Sequence, residues 1–226
     1  MRKNILKIIL GVFCFLFIMP ISFGCAQAKI NEYSNEYISE YRKNLFIGKT
    51  GLFWASFTSG ERESDYVMNG QKTNLVDFGV LTIKLNADMG SDNPKFELDV
   101  NDKKYSGELE KNPYDGSYVF DIQVQVDDKD EIFVTLTDFD QKIKLICLSC
   151  NWESSWQDAV DVFYQKYLNE VSNNTVNGKF LGEIYVKIVA TDNNFDNIYW
   201  YVLCVCKNGD MFTCLVDPNT KMILQA

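Results

Sequence analysis

The chain has 226 residues, a formal net charge of −9 and no histidine. Its acidity disfavours phosphate backbones and anionic lipids, and no cluster of Lys and Arg compensates, so we expect no nucleic-acid partner. The lack of histidine excludes Ser-His-Asp and Cys-His catalysis and histidine-bound catalytic zinc. We therefore expect a protein that is not an enzyme and that uses no cofactor.

The N-terminus has the three parts of a secretory signal. Arg2 and Lys3 are basic, residues 8–19 are almost entirely apolar, and Ala26-Gln27-Ala28 is a small-x-small motif. This pattern predicts cleavage between Ala28 and Lys29 and a secreted or cell-envelope location. Without residues 1–28 the chain keeps 19 basic and 31 acidic residues, a net charge of −12.

Two other fates of this segment stay open. Ser22-Phe23-Gly24-Cys25 resembles a bacterial lipobox, in which Cys25 would carry the lipid. Alternatively the segment stays uncut as an anchor, although it is short for a membrane span. We expect membrane attachment only through one of these two routes.

The next segment, residues 29–47, is predicted to be a helix. Tyr33, Tyr37 and Tyr41 recur at every fourth position beside aliphatic residues, which is typical of one helix face.

Residues 48–150 are predicted to form an antiparallel β-sandwich-like domain or an open barrel. Apolar residues alternate with polar ones in short runs near residues 52–57, 79–85, 96–100, 105–109, 118–126, 132–136 and 143–147. Turn sequences such as Asn69-Gly70 separate these runs, and no helical pattern intervenes.

Residues 151–226 are predicted to form a small α+β domain. Ser154 and Gln157 suggest a capping box for a helix that carries an apolar stripe to Val171. Strands are expected at residues 182–190, 198–206, 211–216 and 222–224, with a hairpin turn at Asn208-Gly209. The fold class is thus mainly β or α+β.

The element order of residues 154–226 and the closing segment from Asp217 to Leu224 resemble a PepSY-type module. Asp217 and Thr220 match an aspartate and a threonine of that family, whereas Lys221 stands where a glycine is usual. The resemblance implies a binding or regulatory module of the bacterial cell envelope, for which inhibition of peptidases has been proposed.

Five cysteines follow the signal segment. Cys147 and Cys150 have C-x-x-C spacing, and Cys204 and Cys206 lie two apart in a predicted strand. We favour buried free thiols for all of them; a Cys147–Cys150 disulfide and a four-thiolate zinc site are the alternatives. We interpret the acidic turn Asp127-Asp128-Lys129-Asp130-Glu131 as solvated rather than as a calcium loop, because it lacks the full loop pattern.

Tyr199, Trp200 and Tyr201 form our candidate recognition surface. Because consecutive strand residues alternate between faces, at least one ring should reach solvent if one face is wet. The leading hypothesis is an exported non-enzymatic binding or regulatory protein whose partner is a protein. A carbohydrate- or wall-binding module is the first alternative and requires Trp200 or Tyr201 on an exposed flat face. A carboxylate-dependent hydrolase is the second, and it requires two acids converging in a cleft.

Overall fold

The computed structural model describes residues 36–64, 73–86, 93–190 and 197–224. The predicted signal, the cut after Ala28, Cys25 and Tyr33 lie outside these ranges, as does the predicted turn at Asn69-Gly70.

The described residues form two α-helices, α1 (Trp156–Lys166) and α2 (Leu168–Asn173). The strands are β1 (Ile38–Lys49), β2 (Phe53–Glu63), β3 (Leu75–Leu85), β4 (Lys95–Val100), β5 (Lys103–Glu108), β6 (Glu110–Lys111), β7 (Tyr118–Ile122), β8 (Ile132–Leu136), β9 (Gln141–Cys147), β10 (Thr175–Val176), β11 (Lys179–Phe180), β12 (Gly182–Ala190), β13 (Ile198–Cys206) and β14 (Met211–Val216).

The first nine strands form a nearly closed barrel rather than a sandwich. Their order is β5-β4-β8-β9-β1-β2-β3-β7-β6. Only Leu109 separates β5 from β6, so one continuous segment pairs with β4 at one end and with β7 at the other. The prediction of a mainly antiparallel β fold is confirmed, whereas two stacked sheets are not found among the described strands.

The barrel interior is filled by side chains. Phe53, Phe57, Phe96 and Leu109 are fully buried in one apolar cluster. Strand alternation explains the packing, because every second residue of β4 and β8 points inward. Val124 and Val126 also join this cluster, although β7 ends at Ile122, before the predicted strand end.

The prediction of a helix at residues 29–47 is wrong for the described part, because β1 occupies Ile38–Lys49. Residues four apart share a face in a strand as well as in a helix, so the tyrosine spacing did not discriminate. Pairing with distant strands decides the outcome. β1 pairs with β2 along one edge, and its other edge passes from parallel pairing with β12 to antiparallel pairing with β9.

β12, β13 and β14 extend this sheet beyond the barrel, and α1 packs on one of their faces. We call β12–β14 with α1 and α2 the helical layer. The bounds predicted for these three strands, 182–190, 198–206 and 211–216, are confirmed. The core of the layer contains Phe163, Trp200 and Val202, all buried. Since β1 pairs with β12, the helical layer and the barrel share one twelve-stranded sheet.

The start of α1 lies one residue later than predicted. The capping box is formed by Ser155 and Asp158, not by Ser154 and Gln157. The amide N–H of Asp158 donates to Ser155 Oγ over 3.3 Å, and the amide N–H of Ser155 donates to Asp158 Oδ2 over 2.8 Å. The predicted single helix divides at Tyr167 into α1 and α2.

The C-terminal segment closes with a tight turn. The backbone N–H groups of Asn219 and Thr220 both donate to Asp217 Oδ1 over 2.8 Å. The predicted strand at 222–224 is reduced to a single bridge between Ile223 and Val216. Among the described residues, no helix combines the length and hydropathy needed to span a membrane.

Candidate functional site

The candidate recognition residues of β13 divide between the two faces of the sheet. Trp200 is 1 % exposed and belongs to the core under α1. Tyr199 and Tyr201 point to the opposite face and are half-buried. The three rings alternate between the faces as a strand requires, and α1 covers the face that carries Trp200, so only Tyr199 and Tyr201 remain candidates for a recognition surface on this strand.

The face of β12–β14 opposite the helices becomes more exposed toward β14. We call it the outer sheet face. Tyr185 on β12 is buried, and its cross-strand partner Leu203 on β13 is half-buried. On β14, Thr213, the partner of Leu203, is exposed, and Met211 is 67 % exposed. The accessible part of this face thus lies at the β14 side.

β14 is the edge strand of the helical layer. It pairs with β13, and no second strand pairs with it among the described residues apart from the Val216–Ile223 bridge. The hydroxyl of Tyr167 donates to the carbonyl oxygen of Thr213 over 2.7 Å. The Leu224 N–H donates to the carbonyl oxygen of Leu215 over 2.9 Å. Two backbone acceptors of this edge are thus occupied from within the chain.

A second surface brings Trp200 and Cys150 together, two residues that the sequence singled out separately. Both line a cleft of about 470 Å³ between the barrel and the N-terminus of α1. Trp152 and Trp156 also line it, so three of the four tryptophans of the chain meet here. We call it the tryptophan cleft. Its volume lies within the range usual for small-ligand sites.

Ring contacts and hydrogen bonds hold the tryptophans in place. Trp152 lies edge-on to Trp200, with ring centroids 4.9 Å apart, and Trp156 stacks on Tyr41 at 4.2 Å. The indole Nε1–H of Trp200 donates to Ser154 Oγ over 3.0 Å, and that hydroxyl donates to the Pro218 carbonyl over 2.7 Å. Ser154 therefore positions Trp200 instead of capping α1.

The tryptophan cleft is acidic. Asp128, Glu153 and Asp158 line it, against one basic residue, Lys43. Although burial alone would raise the pKa of Asp158, hydrogen bonds from the Ser155 backbone and from Lys221 hold that pKa below its ordinary value. The Asp158 carboxylate therefore stays ionised at neutral pH.

Cys147 and Cys150 form a disulfide, with Cα atoms 5.7 Å apart. The favoured interpretation of free thiols is wrong for this pair, and the alternative is confirmed. The bridge closes the turn that follows β9. Inside that turn, Ser149 Oγ accepts from the Leu45 N–H over 2.9 Å, and the Leu148 N–H donates to the Leu45 carbonyl over 2.7 Å. The disulfide thus fixes a turn that docks on β1.

The other three cysteines are buried free thiols, as expected. Cys204, Cys206 and Cys214 lie in the core of the helical layer. Burial raises the pKa of the Cys214 thiol to about 11 and also raises that of Cys204, where the neighbouring Cys206 adds to the effect. Thiols held in the neutral form are poor nucleophiles and poor metal ligands. Within the described ranges, no group of three or more Cys, Asp or Glu side chains is arranged to hold a metal ion.

A larger polar cleft of about 850 Å³ lies beside the start of β1. The carboxylates next to it are hydrogen-bonded: Glu63 accepts from Ser39 Oγ over 3.3 Å and from the Thr73 N–H over 3.0 Å. Glu183 accepts from the Tyr185 hydroxyl over 2.6 Å. These bonds within the protein give both carboxylates a structural role. Glu36 and Thr73, which line this cleft, adjoin residues outside the described ranges.

The acidic turn at residues 127–131 is held by its own contacts. The Asp127 N–H donates to Asp130 Oδ2 over 2.7 Å. Lys43 lies 3.7 Å from Asp127 Oδ1, and Lys144 pairs with Glu131. Asp128 faces the tryptophan cleft, so this turn contributes one acid to the candidate site.

Sequence reasoning missed Trp152, Ser154 and Asn44 as cleft residues. Asn44 is buried, and its side-chain amide donates to the Val126 carbonyl over 2.8 Å and to Ser59 Oγ over 3.2 Å. Nothing local in the sequence marks Asn44, because its partners are 15 and 82 residues away. The recurrence of tryptophan at 152 and 156, beside the Cys150 motif, was the available signal.

Comparison of the chain with protein-family models, curated proteins and solved structures gives no match.

Proposed function

We propose that this protein is an exported, non-enzymatic binding or regulatory protein whose partner is another protein, bound at the β14 edge. The observation that carries the proposal is the exposure of Met211 and Thr213 on an edge strand. Because the carbonyl groups of Thr213 and Leu215 are already bonded within the chain, the partner contacts the exposed side chains of β14 rather than adding a full strand to its edge. Tyr199 and Tyr201 lie on the adjoining outer sheet face and supply amphipathic contact area.

Several features support a binding role over a catalytic one. The chain has no histidine, and the buried carboxylates Glu63 and Glu183 are held by hydrogen bonds to neighbouring groups. The PepSY-like resemblance of residues 154–226 points to regulation at the cell envelope. The helical layer has two helices followed, after the short hairpin β10–β11, by three antiparallel strands, and this order is compatible with that resemblance.

The test is affinity capture from the envelope fraction of cells that produce the protein. Wild type is compared with a variant carrying Met211→Lys and Thr213→Lys, which places charge on the edge. Ile146→Lys is the matched control, because Ile146 is equally exposed (71 %) but lies on β9 of the barrel. We expect one specific protein to be retained by wild type and by Ile146→Lys and to be lost with the edge variant.

Two outcomes contradict the proposal. One is that capture yields nothing specific while the purified protein shows robust hydrolytic activity. The other is that Ile146→Lys abolishes capture and the edge variant does not, which would place the contact on the barrel.

A further inference from the structure

We propose that the tryptophan cleft is a second binding site, separate from the β14 edge, and that it takes a cationic group, a guanidinium or an ammonium. The half-buried rings of Trp152 and Trp156 line this cleft beside three carboxylates, and the buried Trp200 lies edge-on to Trp152. Tryptophan is the best of the aromatic side chains for binding a cation over its ring face.

The half-buried rings of Trp152 and Trp156 are the ones available to an external cation, since Trp200 is buried. Elsewhere in the described part of the chain, Lys and Arg side chains lie over Phe and Tyr rings, as Arg62 does over Phe78 at 4.7 Å. No such contact involves Trp152, Trp156 or Trp200 among the described residues. Tyr41 stacks on one face of Trp156 and does not line the cleft. The cleft is therefore lined by a different surface of the Trp156 ring.

The charges of the cleft select the sign of the ligand. Lys221 Nζ lies 3.0 Å from Asp158 Oδ1, and the one basic lining residue, Lys43, lies 3.7 Å from Asp127. Asp128 and Glu153 take part in no ion pair with any described residue. Two carboxylates without an ion-pair partner among the described residues, beside aromatic rings, attract a cation and repel an anion.

The shape of the cleft is held independently of any ligand. Ser154 ties Trp200 to Pro218, and the Cys147–Cys150 disulfide fixes the turn that precedes Trp152. A ligand therefore meets rings that are already in position, which lowers the entropic cost of binding.

The test is a titration of the full chain at low salt, with tryptophan fluorescence as the readout. The probes are a tri-arginine peptide, tetramethylammonium ion, a tri-glutamate peptide and a neutral chito-oligosaccharide. We expect saturable quenching by tri-arginine that weakens at high salt, and none by tri-glutamate. Saturable binding of tetramethylammonium as well would assign the site to cations in general, whereas binding of tri-arginine alone would assign it to protein side chains.

Matched variants separate the cleft from the general acidity of the chain. Asp128→Asn with Glu153→Gln should weaken tri-arginine binding by about five-fold at low salt. Glu97→Gln with Glu110→Gln makes the same change in net charge at exposed barrel positions and should leave the affinity unchanged. Trp156→Phe should weaken binding about three-fold because phenylalanine is a poorer cation acceptor. Trp54→Phe changes a tryptophan outside the cleft and should leave the affinity for tri-arginine unchanged.

Three results would overturn the proposal. Equal weakening by the two charge variants would show that only net charge matters. Unchanged binding in both the cleft charge variant and Trp156→Phe would place the cation elsewhere. Saturable binding of the chito-oligosaccharide without binding of tri-arginine would make the cleft a carbohydrate site. Because the test uses no partner and leaves β14 unchanged, its failure is distinguishable from failure of the proposed function.

Discussion

The barrel and the helical layer bury their cores in different ways. The barrel closes on itself through the continuous segment around Leu109, and its described core contains no tryptophan. The helical layer ends at the edge strand β14, and three of the four tryptophans of the chain lie in it or at its border with the barrel. A nearly closed barrel leaves few unpaired strand edges, whereas the helical layer ends in an edge that is only partly paired within the chain.

This difference suggests where binding takes place. Aliphatic residues and phenylalanine make up most of the barrel core, so the barrel serves as a scaffold. Trp200, by contrast, needs a hydrogen-bond acceptor when buried, and Ser154 supplies it. The hydrogen bonds of Ser154 hold Trp200 where the helical layer meets the barrel, so the tryptophan cleft lies at that border and the β14 edge lies in the helical layer.

The largest expected effect on stability comes from replacing one buried phenylalanine in the core of each region. Phe57→Ala in the barrel and Phe163→Ala in the helical layer should each lower the free energy of unfolding by about 3–5 kcal/mol. Since β1 pairs with strands of both regions, we expect one transition in each variant. The measurement is denaturant unfolding followed by tryptophan fluorescence and far-UV circular dichroism. Two separate transitions, with fluorescence shifted only by Phe163→Ala, would show that the regions unfold independently.

Reducing the disulfide should have a smaller effect. Cys147 and Cys150 are three residues apart, and for so short a loop the entropic model gives about 2 kcal/mol of stabilisation. The measurement is the denaturant midpoint with and without dithiothreitol. The variant with Ser at both positions serves as the control, because reductant should not change its midpoint. A wild-type midpoint that dithiothreitol leaves unchanged would contradict a stabilising role of this disulfide.

The smallest effect concerns the cap of α1 at the tryptophan cleft. Asp158→Asn should cost about 1 kcal/mol at neutral pH by weakening the capping box and the contact with Lys221. The folded protein holds the pKa of Asp158 below its ordinary value. Its stabilisation is therefore present above about pH 4 and is lost as the pH falls through the lowered pKa.

The measurement for this cap is the unfolding free energy of wild type and Asp158→Asn from pH 7 down to pH 2. The difference between them should shrink as the pH falls. Asp140→Asn, at an exposed turn of the barrel, is the matched control for the loss of one carboxylate. A difference that stays constant with pH would contradict the role of the Asp158 carboxylate.

The sequence allowed β12, β13 and β14 to be predicted to the residue, because their alternation is regular and Asn208-Gly209 marks one turn between them. β1 was mistaken for a helix because the strands that pair with it lie far away along the chain. The candidate site was also hidden because its residues lie far apart along the chain. Cys150 and Trp200 were both noted, but only the packing of β1 and α1 brings them to one cleft.

Photo-cross-linking tests the central claim, that binding takes place at the open edge of the helical layer, most directly. A photoreactive amino acid is placed at Met211 on β14 or at Ile146 on β9, two exposed positions in different regions. We predict that the probe at Met211 yields a discrete cross-linked partner in producing cells and that the probe at Ile146 does not. A partner captured at Ile146 and absent at Met211 would contradict the account.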